Sequence, residues 1–235
     1  MDDCFIFCGG RGRGHQRLYQ RETEKSWPRS NVRFLGWRMA RSGIGEIIPM
    51  NIHNIFAHLS KVMTHRRWVR HYCFMAGLYK QGLTHDLSKY SPIEFWESVK
   101  YFQGTSSPII ACKKDKGYSL AWFHHRGRNR HHWEYWVDDF DHGMIPKLMP
   151  EKYAVEMFCD FLAAGKAYMG ENYSRQAEFD WWKEKRKIYV MHPAIKDFID
   201  NCFANYLSFS ANYALQKERL HRIYQTCMEV HHEEK

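Results

Sequence analysis

From Ile52 onward apolar residues recur at spacings of three and four, with Ile52, Ile55, Phe56, Leu59, Val62 and Met63 forming one helical stripe. The pattern runs on through Trp68, Val69, Tyr72 and Cys73, and Gly77 is the expected end or kink. Ser91-Pro92-Ile93-Glu94 announces a second helix, with Ser91 as N-cap, Pro92 in the first turn and Glu94 closing a capping box. That helix is expected to turn Phe95, Trp96, Val99 and Tyr101 or Phe102 inward. Residues 103–118, with Gly104, Pro108, a Lys run and Gly117, read as a loop. A short helix over 119–125 leads to the basic turn Arg126-Gly127-Arg128-Asn129-Arg130 and then to His131-His132. Past an acidic loop, a long helix is expected from Pro150-Glu151 to Met169, its stripe including Tyr153, Met157, Phe161 and Leu162, with Asp160 among them. Helices over 174–187, 193–207 and 210–231 complete the pattern, with His231-His232 as a solvated tail. No stretch reads as a strand pair. The expected fold class is all-α.

Residues 1–49 change this picture, because no core periodicity is found there. Their basic residues are Arg with the exception of Lys25, whereas Lys outnumbers Arg from Met50 onward. The chain is therefore divided into a basic N-terminal extension over 1–49 and a helical domain over 50–235. The extension reads as a disordered or non-native segment that the domain does not need for folding. Its alternatives are a basic arm for nucleic acid and a metal knot of Cys4, Cys8 and His15.

Composition narrows the setting. The 235-residue chain is 44% hydrophobic and 16% aromatic, enough for a sizeable core. A net charge of +9 favours anionic partners such as nucleotides or nucleic acid without choosing among them. The seven Cys lack paired C-x-x-C spacing, which points to reduced thiols and a cytoplasmic setting. No apolar run approaches the ~20 residues of a membrane span, so no membrane partner is expected. Neither a P-loop nor a dinucleotide-binding glycine motif is present: Gly9-Gly10-Arg11-Gly12-Arg13-Gly14 lacks the flanking strand and the Lys-Ser/Thr.

The candidate chemistry centres on Gly82-Leu83-Thr84-His85-Asp86-Leu87-Ser88-Lys89-Tyr90-Ser91-Pro92. An adjacent His-Asp pair offers a metal an imidazole nitrogen and a carboxylate oxygen. Lys89, three residues past Asp86, would set a positive charge on the same side of a helical turn, which suits a phosphate. The ligand-capable residues follow in order: His65, His85-Asp86, His124 and His125, His131-His132, and Asp160. Asp160 is informative, since a carboxylate on the inward face of an aromatic-rich helix is costly unless paired or metal-bound. His58 and His71 are assigned structural roles, with His71 as the fallback for His65.

His-Asp-Leu-Ser-Lys resembles the signature of the HD-domain metal-dependent phosphohydrolases. In that family a His, a His-Asp pair and a final Asp on successive helices surround a divalent metal, and inserted His residues hold a second. The resemblance covers roughly residues 51–170. Ser88 stands where that signature has Gly, a small-for-small change expected to matter little. The stretch from Met50 to about Pro193 also resembles a bacterial and phage family of unknown function, through Gly-Leu-Thr-His-Asp-Leu-Ser-Lys-Tyr-Ser-Pro, Gly-Arg-Asn-Arg-His-His and Ala-Tyr-Met-Gly.

The HD resemblance implies a helical bundle with one or two divalent ions (Mn, Fe, Co or Zn) held by His65, His85, Asp86, His124, His131, His132 and Asp160. It implies a hydrolase acting on a small phosphorylated substrate, a nucleotide on this analogy, through metal-activated water. Asp86 would ligate or bridge. Lys89, with Arg126, Arg128 or Arg130, would hold the phosphate, Lys89 reaching it without competing for the metal. Glu134 or Glu94 would shuttle a proton. Two other readings stay open: an HD-fold di-iron oxygenase, and a basic helical binding module without enzymatic activity.

Overall fold

The computed structural model describes residues 52–138, 141 and 143–232. The expectations for residues 1–49 lie outside the described residues. Ten α-helices make up the described chain: α1 (Ile52–Met75), α2 (Tyr79–Thr84), α3 (Pro92–Lys100), α4 (Pro108–Lys116), α5 (Leu120–Arg128), α6 (Glu151–Met169), α7 (Arg175–Ile188), α8 (Pro193–Ser208), α9 (Ala211–Ala214) and α10 (Lys217–His232). Short 3₁₀ turns lie at Leu87–Tyr90, Trp133–Trp136 and Gly170–Asn172. The fold class is all-α. The one pair of strands among the described residues, β1 (Val137–Asp138) and β2 (Ile145–Pro146), is an antiparallel clip of two residues each. No described helix is long and apolar enough to cross a membrane.

The long helix α1 packs along α6, α8 packs against α10, and α3 pairs with α5. Phe158 and Leu162 of α6, Trp182 of α7 and Phe198 and Phe203 of α8 are almost fully buried and form the apolar centre. Phe158 meets Phe203 edge to face at 5.0 Å, a geometry that aromatic quadrupoles favour. Polar ties brace the same helices from outside. The Arg186 guanidinium binds Asp197 at 2.8 Å and also Asp200, while His231 lies 2.9 Å from Asp197. The five described cysteines are buried.

Four local expectations are corrected. The stripe proposed for α1 is core in part: Val62, Val69, Tyr72 and Cys73 are buried, but Ile52 and Phe56 are each 67% exposed and Met63 is 58% exposed. The helix also buries His58 and His65, so polar residues share the inward face and break the apolar signal. Residues 108–116, read as loop, form α4, with Pro108 in its first turn and Gly117 as a left-handed cap at φ 80°. The capping box on α3 does not form. Ser91 makes no side-chain cap bond, and the Glu94 carboxylate turns to His124 and His125. The C-terminal histidines are no tail, since α10 runs to His232.

The packing of α6 on α8 can be tested directly. Phe158→Ala should cost about 3–5 kcal/mol, as expected for truncating a buried aromatic ring, measured by urea unfolding. A loss under about 1 kcal/mol would contradict this arrangement.

Candidate metal centre

Helix α2 ends one residue before His85, and the chain then turns sharply at Asp86, whose φ of 54° and ψ of 28° place it in the left-handed region. It is the one non-glycine residue with positive φ among the described residues. Asp tolerates this region better than most residues, yet it still costs energy that the surroundings must offset. Arg66 of α1 holds the turn. Its Nε donates to the His85 carbonyl at 2.8 Å and an Nη donates to the Leu83 carbonyl at 2.9 Å, satisfying carbonyls at the end of α2. His85 and Asp86 are thereby aimed back at α1 and α6.

Four other segments meet them. His65 comes from α1, His125 from the inward face of α5, His131 and His132 from the turn after α5, and Asp160 from α6. His65 Nε2 lies 3.0 Å from Asp160 Oδ1 and 3.7 Å from Asp86 Oδ2. His85 Nε2 lies 3.4 Å from Oδ2 of Asp86 and 3.4 Å from Oδ1 of Asp160. On the other side of Asp86, its Oδ1 faces His125 Nε2 at 3.3 Å and His131 Nε2 at 3.4 Å. His132 joins the second set. Ligands about 2.1 Å from a common ion stand about 3.0–3.4 Å apart, so most of these separations are compatible with a coordination shell.

A second layer of carboxylates fixes the imidazoles. Glu156, one turn before Asp160 on α6, places Oε1 3.0 Å from His85 Nδ1 and 3.2 Å from His131 Nδ1. Glu94 of α3 places Oε2 2.7 Å from His125 Nδ1. Each contact holds an Nδ1–H and turns the opposite nitrogen inward, the usual arrangement behind a metal-bound imidazole. The Asn129 amide completes the frame by donating 2.8 Å bonds to Ser88 Oγ and to the His125 carbonyl.

The inward atoms are sealed from solvent. Nε2 of His65, His85, His131 and His132 and Oδ1 of Asp86 have no hydrogen-bond partner. An unsatisfied buried polar group costs about 1–3 kcal/mol. The residues therefore fit a bound cation, and these buried His/Asp groups can hold a metal ion.

The electrostatics agree. Burial opposes charge on Asp86, but His85, Lys89 and His125 outweigh it and hold its pKa well below the usual carboxylate range. Burial likewise opposes charge on Asp160, and His65 and His85 hold its pKa well below that range. Burial works against a charged His85, yet Asp86, Asp160 and Glu156 raise its pKa well above the ordinary imidazole value. For His132, burial followed by His131 and His125 pushes the pKa well down, leaving a neutral nitrogen lone pair.

The sequence-assigned residues divide accordingly. His65, His85, Asp86, His131, His132 and Asp160 come together in the cluster. His124 does not: its Nδ1 engages Glu94 Oε1, and its neighbour His125 takes the inward position. His71 is exposed and is not needed as a substitute for His65. Lys89 was expected to clear the metal, but its Nζ lies 2.6 Å from Asp86 Oδ2. Arg126, Arg128 and Arg130 point elsewhere. Arg126 covers Phe123, Arg128 is exposed, and Arg130 reaches the Tyr153 hydroxyl. Glu134 lies beyond the cluster, its carboxyl pKa raised by burial. Glu94 is a support for two imidazoles rather than a free carboxylate. Ser88, read as a neutral change, is the hydrogen-bond partner of Asn129. Glu156 was missed in the sequence, although its i, i+4 relation to Asp160 puts both on one helix face.

A cavity of about 190 Å³ opens beside the cluster, bordered by His65, Asp86, Lys89, His125, His132 and Asp160 together with Lys61 and His58. A wider groove of about 690 Å³ runs past Phe56, Met63, Arg67 and Arg70 and contains none of the clustered residues. Clustered residues therefore border the smaller cavity. Residues 54–205, more than half of the chain, match the Family of unknown function (DUF5662), and the chain belongs to that family. No curated protein and no solved structure matches it.

Metal uptake should release protons. With its raised pKa, His85 carries a proton at pH 7 in the metal-free fold, and a cation must displace it. Apparent affinity should therefore rise with pH through neutrality. Calorimetric titration with Zn²⁺ in buffers of different ionisation enthalpy counts the protons. A release of zero at pH 7 would contradict the assignment of His85 as a ligand.

Proposed function

We propose that this member of the family is a metal-dependent phosphohydrolase in which Asp86, with His65, His85, His125, His131, His132 and Asp160, would hold one or two divalent cations. One observation carries the reading: the two oxygens of Asp86 face different sets of imidazoles. Oδ2 faces His65 and His85, and Oδ1 faces His125 and His131. Asp160 completes the first set and His132 the second. The ligand order along the chain resembles that of the HD-domain enzymes with two metals, with His125 rather than His124 among the clustered residues.

When bound, the cations supply Lewis acidity, lowering the pKa of water and offsetting charge on phosphate oxygens. The chain's own groups do the rest. Glu156 and Glu94 keep the Nε2 lone pairs pointed inward. Burial of the cluster excludes bulk water and strengthens every charge interaction within it. Lys89, at the cavity wall, supplies a fixed positive charge for a phosphoryl oxygen. Its ammonium lies 2.6 Å from Asp86 Oδ2 and offsets the charge of that carboxylate. Trp122, Ser107 and Tyr168 close the other walls of the cavity.

A second reading rests on the donor set itself. Five imidazoles and two carboxylates suit iron as well as manganese, cobalt or zinc, which keeps an oxygen-using di-iron enzyme in play. Turnover under strict anaerobiosis separates the two, since hydrolysis needs no O₂.

Metal analysis after reconstitution tests the centre. The chain should hold about two ions, His125→Ala about one, and Asp86→Asn almost none; Asn retains the left-handed turn, so this variant should fold. Fewer than about 0.3 ions per chain in the unmodified protein would favour a binding module without a metal. Lys89→Met tests the reaction. Removing the ammonium should tighten metal binding while lowering kcat/KM on phosphate esters by roughly 10²- to 10³-fold. A change of only a few-fold in a metal-loaded variant would count against phosphoryl transfer.

A further inference from the structure

His58 is a histidine that the metal centre does not use. It sits two turns before His65 on the same buried face of α1 and is only 5% exposed. Neither ring nitrogen has a hydrogen-bond partner among the described residues. Its ring leans on Phe95 at 5.5 Å and meets Phe102 edge-on at 5.7 Å, and it borders the cavity beside the cluster. A structural histidine of this kind normally bonds at least one nitrogen to a neighbour. Burial, with Lys89 adding to it, pushes its pKa down to about 4. At pH 7 the imidazole is neutral and offers one donor and one acceptor, which is the complement of a hydroxyl and not of a phosphate.

The other walls limit what fits. At about 190 Å³ the cavity is below the ~300 Å³ at which sites for drug-sized ligands begin. Its aromatic walls are already engaged. Trp122 stacks on His125 at 5.8 Å and carries the Lys113 ammonium at 4.9 Å, while Lys61 lies 5.4 Å from the centre of the Tyr168 ring. A nucleobase would find neither the volume nor a free stacking face. Lys61 spends one proton on the Ala167 carbonyl at 2.9 Å and keeps two others. Seven residues of helix separate His58 from His65, about 10 Å along the axis. That is the reach of a short phosphorylated chain with its phosphoryl group at the cluster.

From this we infer that the cavity is a subsite for a small hydroxylated phosphate monoester, such as a sugar or polyol phosphate, with Lys61 and Lys89 facing its anionic end and His58 bonding a hydroxyl. The inference rests on the phosphohydrolase reading for its reaction, but not for its binding. The His58 nitrogens are sealed in this state, so a hydroxyl reaches them by turning the imidazole. The tilted and edge-on contacts with Phe95 and Phe102 leave that turn available in a way a parallel stack would not. Bonding the hydroxyl then removes the orphaned polar atoms from the wall.

The test is calorimetric titration of the full chain reconstituted with Mn²⁺, using inorganic phosphate, glycerol 3-phosphate and AMP. Glycerol 3-phosphate should bind about 5- to 10-fold tighter than inorganic phosphate, the worth of one hydrogen bond in a dry site. It should also bind tighter than AMP. His58→Phe should abolish that advantage and leave affinity for inorganic phosphate within about twofold, which also reports that the variant is folded and metallated. His58→Asn, which keeps a donor and an acceptor, should retain part of it. Equal or tighter binding of AMP, an advantage that survives in His58→Phe, or no binding of any of the three would overturn the subsite. Selective binding of glycerol 3-phosphate without its hydrolysis would leave the subsite standing and overturn the reaction instead.

Discussion

The structure depends on the meeting of one buried carboxylate with imidazoles from three directions. Asp86 is the common neighbour of His65, His85, His125, His131 and Lys89, and Asp160 also approaches His131 across the cluster at 3.8 Å. Such a group cannot lie in an apolar interior without opposite charge, because the desolvation penalty of a bare carboxylate exceeds what packing returns. Positive charge is supplied beside Asp86 by the Lys89 ammonium and by His85, whose pKa is held well above the ordinary imidazole value. The tight turn at Asp86 is the backbone counterpart of this requirement. It lets two adjacent residues, His85 and Asp86, aim at the same point from the end of one short helix.

Precision at such a point comes from the layer behind it. Arg66 ties the α2 terminus to α1, Glu156 holds His85 and His131 together from α6, and Glu94 holds His125 from α3. Each of these residues belongs to a regular helix, which fixes its position better than a loop would. The Gly-Arg-Asn-Arg-His-His stretch acquires a physical meaning here. Asn129 closes the end of α5 onto Ser88, so the turn carrying His131 and His132 is locked to the turn carrying Asp86.

Much of this was legible in the sequence, for identifiable reasons. The helices α6, α7 and α8 follow plain apolar periodicity, and their boundaries fall within a residue or two of the pattern. The order of His65, His85-Asp86, His131-His132 and Asp160 along the chain gave most of the cluster, because each sits on a separate element. What failed was any decision requiring the rotation of a helix. His124 and His125 differ by about 100° on α5, and a nine-residue helix with exposed Phe123 gives no clear inward face. The same difficulty hid the true face of α1. Its histidines count as polar in a hydropathy pattern, so the exposed Ile52, Phe56 and Met63 looked like the core. Glu94 was misread because a capping box and a support for histidine use the same residue type. Side-chain partners 30 positions away are not written in a local pattern.

The central helix α6 shows how a costly site coexists with a stable fold. Glu156 and Asp160, one turn apart, face the cluster, while Phe158 and Leu162, also one turn apart, lie on the opposite side of the helix. One side carries buried charge that stabilises little until a cation is present. The other carries fully buried aromatic and aliphatic side chains packed on α7 and α8, each worth about 1.5–3 kcal/mol of transferred apolar surface. The apolar side is made whether or not metal is bound, so the ligands on α6 are held in place before any cation arrives. A cation then meets ligands that are already ordered, and binding need not supply the entropy of arranging them. The segments from 84 to 90 and 129 to 132 lack such a core of their own, and they depend on Arg66, Asn129 and the cluster itself. Metal occupancy should therefore be felt at those turns and at the cavity wall they form, and hardly at all along α6, α7 and α8.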